Sequence, residues 1–362
     1  MYERILKPIL FRLNPERVHD FFVSVGHMLG AYSLTRGLVS WICGFTHPSL
    51  RTQVAGIDFA NPVGLAAGFD KDVNLTNIMS AVGFGFMEVG AVTRFPYEGN
   101  SGRRLLRLPA DKSLIVYYGL KNIGAEAILK KLPRLKFTIP TGINIAKTNR
   151  ADIMGEKSIE DYIATYRLLG QYFAYTTLNI SCPNTQDGCT FQDPLKLDQL
   201  LAALSKEPKV GPMFLKISNH LTTHEVDQIL AVVEKYSFVD GFVVGNLSKR
   251  RETLNLKSAK ERSDMLPQGG ISGQPVREQS TNLIRHMYRR APGKYVIIGL
   301  GGIFNAQQAY EKIKAGANLV QIITGLIFGG PLTVKRINQG LVKLLQQDGF
   351  SHISEAVGKE LS

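Results

Sequence analysis

From residue 50 onward, short apolar runs alternate with stretches in which apolar residues recur every three or four positions. The short runs predict strands at Val63–Ala67, Gly85–Gly90, Gly142–Ala146, Thr176–Ile180, Met213–Ile217, Gly241–Gly245, Tyr295–Gly299 and Leu319–Ile323. Most are apolar almost throughout, as parallel strands buried on both faces must be. The longer stretches predict helices. Thr223–Tyr236 opens on Thr-Thr-His-Glu and carries Val226, Ile229, Leu230 and Val233 at helical spacing; Asn305–Ala315 and Val334–Gln346 behave likewise. Two shorter strands, Thr52–Val54 and Ile57–Phe59, precede this series across a glycine turn. Eight strands alternating with helices predict an α/β fold, a (β/α)8 TIM barrel. An open doubly wound sheet is the alternative. It wants a glycine-rich fingerprint followed about 20 residues later by an acidic residue, and Gly64-Leu65-Ala66-Ala67-Gly68 fits that poorly.

The first residues follow another pattern. Tyr2 to Leu13 reads as a short amphipathic helix, with Ile5, Leu6, Ile9, Leu10 and Leu13 on one side. Asn14-Pro15-Glu16 restarts a helix that runs through Val18, Phe21, Phe22, Val25 and Leu29. We therefore divide the chain into an N-terminal helical segment, 1–45, and a barrel, 46–362. The helices serve either as a cap packed on the domain or as a pair lying on a membrane surface.

Composition narrows the partners. The formal charge of +13 attracts anions, whether acidic lipid, phosphate-bearing cofactors or carboxylate substrates. The blander account is a generally basic surface. No RNA-binding signature accompanies the charge, so no nucleic-acid partner is expected. Three cysteines, Cys43, Cys182 and Cys189, argue against a disulfide framework and for a cytosol-facing compartment. No zinc-type Cys/His spacing appears, and no metal is expected. No signal peptide opens the chain, and residues 1–50 hold no apolar run long enough to span a bilayer.

Candidate chemistry gathers at the strand ends. The last two strands run into Leu300-Gly301-Gly302-Ile303 and into Thr324-Gly325-Leu326. Loops at those places in a barrel commonly cradle a phosphate; ordinary turn glycines are the alternative. Lys71 follows the first barrel strand, Asn144 lies in the third, Asn179 in the fourth, Lys216 in the fifth, and Asn246 ends the sixth. A polar residue inside an apolar strand is costly unless it meets a partner. Any one of them could be a satisfied core residue, but five directed at one mouth predict a site. The amides suit a flat heterocycle bearing carbonyls and N–H groups, and the lysines suit a reduced flavin anion or a substrate carboxylate. In Asn179-Ile180-Ser181-Cys182-Pro183-Asn184-Thr185 a cysteine follows a strand end. It is either inert packing or, beside a lysine, a proton acceptor.

These segments resemble the dihydroorotate dehydrogenase family nearly end to end. The likeness is carried by Asn61 to Asp72, Gly142-Ile143-Asn144-Ile145, Asn179 to Thr185, Gly269 to Gly273, Ile298 to Ile303 and Gly316 to Gln321. Phe11 to His19 resembles the extra helical segment of the membrane-associated, quinone-using class 2 enzymes. Arg103 to Leu108, Arg107 above all, is similar to their quinone-tunnel border. The resemblance implies FMN held by Ala67, Gly68, Lys71, Asn144, Asn179, Lys216, Gly245, Gly273, Gly302, Ile323 and Thr324. It implies dihydroorotate held by Lys71, Asn179, Asn184 and Asn246, hydride transfer from substrate C6 to flavin N5, and Cys182 as the base that removes the C5 proton. A membrane quinone as acceptor, peripheral contact with the cytoplasmic side of a membrane, and a place in pyrimidine synthesis follow from the same likeness.

The chain departs from that pattern at four places. Class 2 enzymes carry serine where Cys182 stands, whereas cysteine is the habit of the soluble class 1 enzymes. Val116 replaces a substrate-binding amide, Leu247 a threonine, and Ile323 a tyrosine. These departures leave room for a flavoprotein of the same barrel that acts on another cyclic or unsaturated substrate.

Overall fold

The computed structural model describes residues 2–181, 191–258 and 265–360. An antiparallel hairpin comes first, β1 (Thr52–Val54) and β2 (Ile57–Phe59), with Thr52 opposite Phe59. Then follow β3 (Val63–Leu65), β4 (Phe86–Val92), β5 (Leu105–Leu108), β6 (Ser113–Val116), β7 (Thr141–Ile145), β8 (Tyr175–Asn179), β9 (Met213–Ile217), β10 (Gly241–Val244), β11 (Gly270–Gly273), β12 (Val296–Leu300) and β13 (Leu319–Ile322). Eight of these close a parallel barrel in the order β3-β4-β7-β8-β9-β10-β12-β13, with β13 pairing back to β3. The predicted (β/α)8 barrel is therefore present, and each of the eight predicted strands overlaps a barrel strand.

Strand alternation sorts the barrel interior into layers. Toward the N-terminal end, Phe86, Tyr175, Phe214, Ile298 and Leu319 pack together, and Val54 and Phe59 of the hairpin join them from below. Gly142 sits opposite Tyr175, and a Cβ there would come within 2.1 Å of the tyrosine ring. Glycine in β7 is thus what lets the aromatic plug form. Two residues further along each strand the interior turns polar: Glu88, Asn144, Thr177, Lys216 and Gln321 are all buried there. Desolvating that layer is unfavourable unless its groups bond one another or a ligand.

Helices cover the outside of the barrel. Thr223–Val233 starts at Thr222, whose hydroxyl accepts from Glu225 N while the Glu225 carboxylate accepts from Thr222 N. This is a capping box, and it explains why Thr-Thr-His-Glu marks the helix start.

Two features go beyond the sequence expectation. First, β5, β6 and β11 form a small antiparallel sheet, with Leu105 and Gly270 both paired to Val116. It carries its own core of Leu108, Ile115, Leu254, Leu266, Ile271 and Val276. Secondly, the N-terminal segment has three helical pieces: Tyr2–Leu6 continuing into α1 (Lys7–Leu10), then α2 (Pro15–Ala31), then α3 (Ser33–Cys43). Asn14 caps α2 by accepting from Glu16 N and Arg17 N at 2.9 and 3.2 Å, with Pro15 in the first turn where it costs no hydrogen bond. Extended backbone at Tyr32 breaks the chain before α3.

The apolar stripe of the first helix faces away from the barrel. Tyr2 Oη donates to Ile327 O at 2.6 Å and Phe11 packs edge-on against Phe328, which leaves Ile5, Ile9 and Leu13 more than half exposed. Of the nineteen exposed large hydrophobic side chains among the described residues, twelve lie between Ile5 and Ile42. So dense an apolar surface is unusual for a face in contact with water alone. None of the described helices is long and apolar enough to cross a membrane.

Candidate active site

A deep cavity opens at the C-terminal ends of the barrel strands, beneath the β5-β6-β11 sheet, with about 1320 Å³ of empty space including its mouth. Its wall continues past the barrel to Leu105 of β5 and His19 of α2. The cavity thus runs from the polar barrel interior to the N-terminal helices.

The floor is built on Glu88 of β4. Its carboxylate accepts from Asn144 Nδ2 at 2.8 Å, Thr177 Oγ1 at 3.0 Å, Gln321 Nε2 at 3.1 Å and Tyr175 Oη at 3.5 Å. Asn144 Oδ1 and Gln321 Oε1 are buried and have no protein partner, and both residues line the cavity. Buried amide oxygens without a partner, on residues that line a cavity, are groups that a ligand with N–H edges could complete. On the other side, Asn246 Nδ2 donates to Ser181 Oγ at 3.0 Å and Asn179 Oδ1 at 3.3 Å.

Lys71 projects from the segment after β3. Its Nζ lies 3.4 Å from His19 Nε2 and 4.2 Å from the centre of the Tyr118 ring. Burial lowers the ammonium to about 8, against the opposing pull of Asp20 and Asp72. Burial, reinforced by the Lys71 charge, pushes His19 down to about 3. The imidazole is therefore neutral at neutral pH and able to accept from Lys71. An anion entering the cavity would raise Lys71 again and further favour its charged form.

The far end is made by two loops. Gly302, after β12, has φ of +72°, and a Cβ there would come within 2.4 Å of Arg277 Cβ. Glycine is required for the backbone to lie that close. Ser272 Oγ and Thr324 Oγ1, 2.9 Å apart, tie β11 to the loop after β13. A backbone-lined end built on glycine and an amide-lined interior fit a flavin nucleotide.

Ala67, Gly68, Lys71, Asn144, Asn179, Lys216, Asn246, Gly273, Gly302, Ile323 and Thr324 all line this one cavity. Gly245 follows β10 and packs against Asn219, with no room for a Cβ. Arg107 stands beside the cavity on β5, where Nη1 donates to Leu10 O and Leu13 O at 3.2 and 2.9 Å. It thereby fixes the end of α1. Cys182 and Asn184 lie outside the described residues.

Sequence reasoning passed over Glu88, Gln321, His19 and Tyr118. Glu88 and Gln321 carried the same signal as Asn144, a polar residue inside an apolar strand. His19 and Tyr118 reach the cavity only through tertiary packing of α2 and the β6 loop.

Comparison with known proteins agrees with this geometry. The family model described as dihydroorotate dehydrogenase matches residues 49–345. A protein of Nostoc punctiforme named dihydroorotate dehydrogenase (quinone) is 37% identical, over 100% of this chain and 98% of its own length. One of the same name from Natronomonas pharaonis is 36% identical over 99% of both chains. Among solved structures, ligand-free DHODH from Eimeria tenella superposes with a TM-score of 0.79 at 28% identity, covering 91% of this chain and 99% of that one. With the barrel, the cavity and full-length relatives in agreement, the chain belongs to the dihydroorotate dehydrogenase family.

Proposed function

We propose that the protein is a quinone-dependent dihydroorotate dehydrogenase. It would oxidise dihydroorotate to orotate in pyrimidine synthesis and pass the electrons through FMN to a membrane quinone. The observation that carries this reading is the continuity of the cavity from the amide floor at Asn144 to His19 and Leu105 beside the N-terminal helices. One end suits a flavin and a polar substrate, and the other opens toward an apolar surface.

FMN bound here would supply the two-electron redox chemistry that dihydroorotate oxidation requires. Gly273, Gly302 and Thr324 would hold its phosphate end, with Ile323 beside them, and Ala67, Gly68, Asn144, Asn179, Lys71 and Lys216 the rest of it. Lys71 would also pair with the substrate carboxylate, while Asn179, Asn184 and Asn246 orient the substrate ring. Cys182 would take the C5 proton; a thiol of ordinary pKa, ~8.5, is only slightly ionised at neutral pH, and a neighbouring lysine increases the thiolate fraction. Residues 1–45 act in this reading as a separate segment that rests on the cytoplasmic side of a membrane, its exposed apolar residues in the lipid and Arg107 holding its first helix at the quinone entrance.

A second reading, an FMN-dependent oxidoreductase acting on another cyclic or unsaturated substrate, is favoured by Val116 and Leu247 on the cavity wall. Apolar side chains cannot replace an amide and a hydroxyl that recognise a polar ring. Steady-state turnover with dihydroorotate and a quinone separates the two. The first reading predicts turnover with a raised Michaelis constant, lowered about tenfold when Val116→Asn and Leu247→Thr are combined, each restored bond contributing about 0.5–1.5 kcal/mol. No turnover by either form would favour the second.

A further inference from the structure

Glu88 lies at the centre of the buried polar layer, yet no step of the chemistry above uses it. Its side chain is fully buried on β4. Of its four donors, two are the amide nitrogens of Asn144 on β7 and Gln321 on β13. The other two are hydroxyls of β8, Thr177 and Tyr175. Lys216 of β9 is the cation of the same layer.

An amide side chain has two ends of similar shape and opposite polarity, so which end faces a ligand is decided by what the other end meets. A carboxylate only accepts. It therefore captures the NH2 group of each amide and turns each carbonyl oxygen away from itself. Asn144 Oδ1 and Gln321 Oε1 are, accordingly, both left without a protein partner on residues that line the cavity, as is Asn219 Oδ1 among the described residues.

We propose that Glu88 is a positioning residue: it locks the Asn144 and Gln321 amides with their oxygens toward the cavity, makes the floor an acceptor surface for ring N–H groups, and sets the affinity and the reduction potential of the bound flavin. The flavin half of this claim rests on the cofactor reading given above. A carboxylate in the floor disfavours added electron density in the ligand, so it holds the potential low. A neutral amide in its place both relieves that effect and loses the one-way orientation, because Gln can donate to its neighbours as well as accept.

The test is Glu88→Gln, with FMN affinity titrated on flavin-free protein and the midpoint potential of the reconstituted form. We expect at least tenfold weaker FMN binding. We also expect a tenfold shift of relative affinity toward reduced flavin, an increase of about 30 mV for a two-electron couple. A folded Glu88→Gln whose FMN affinity stays within twofold of the parent, or whose potential moves by less than about 9 mV, twofold in relative affinity, overturns the proposal. Should Glu88→Gln fail to fold, Gln321→Met removes one acceptor oxygen at similar volume. It should weaken FMN at least threefold, and unchanged affinity overturns the acceptor role. If the parent protein takes up no flavin, the cofactor reading fails by itself. The orientation claim is then decided on flavin-free protein by the Asn144 side-chain amide resonance, which must move in Glu88→Gln; an unmoved resonance overturns it.

Discussion

Asn144, Asn179 and Lys216 could be picked out from the chain because each interrupts an apolar strand, and all three meet in one cavity. The same logic applied to Glu88 and Gln321, but their role is to orient other side chains, which no one-dimensional pattern displays. Cys182 carries the sharpest prediction at this scale. Cys182→Ala should retain FMN, since the cavity wall that fits it is made of other residues, and should cut substrate-driven flavin reduction about 100-fold or more, the usual size of a general-base contribution. Stopped-flow absorbance across pH is the measurement, and a native rate at every pH would make Cys182 a packing residue.

Lys312 offers a test of buried charge. Its ammonium is fully buried and donates to Ser280 Oγ at 2.8 Å, Thr281 Oγ1 at 3.0 Å and Arg277 O at 3.3 Å. Ser280 Oγ in turn donates to Leu300 O at 2.6 Å, behind the Gly301-Gly302 loop. Burial, aided by Arg277 and Arg285 and opposed by Glu311, lowers Lys312 to about 7 from an unfolded value of 10.5. Between those values the unfolded chain holds a proton that the folded chain does not, so this group makes stability rise with pH across that window and penalises folding below it. Lys312→Met should therefore gain stability relative to the parent at pH 6 by about 3 kcal/mol more than at pH 9. Urea unfolding at both pH values measures it, and an equal difference at the two would refute the assignment.

At the level of elements, the barrel strands and the hairpin were legible because period and length agree with burial. The β5-β6-β11 sheet was not, since β6 and β11 pair across more than 150 positions of sequence. α3 was missed for another reason: only Cys43 of it is buried, so no core-facing stripe marks it out. Leu34 and Trp41 are instead at least 80% exposed. The helical segment is tied down at both ends. Arg104 donates through Nε and Nη2 to Glu16 Oε2 at 2.9 and 2.6 Å, and Lys335 Nζ donates to Ile42 O at 2.8 Å. Deleting residues 1–45 should abolish binding to anionic vesicles and slow reduction of a long-tailed quinone more than tenfold. Anaerobic flavin reduction by substrate should fall far less. Equal loss of both reactions, or of neither, would contradict a quinone channel between the helices and the cavity.

For the molecule as a whole, the account joins a closed barrel, a cavity that spans polar and apolar ends, and an outward apolar surface on a chain of net charge +13. The charge adds attraction to anionic lipid at low salt and fades as ionic strength rises. Fold class was readable from strand and helix alternation, and the catalytic face from the loops after β12 and β13. Substrate identity was less readable, because it turns on a few wall positions, Val116 and Leu247 among them, that change no pattern. The most direct test is to purify the protein, confirm one flavin per chain, and add dihydroorotate in the absence of oxygen and quinone. The account predicts that the flavin absorbance bleaches and that a quinone added afterwards restores it. A flavin that dihydroorotate leaves oxidised would contradict it.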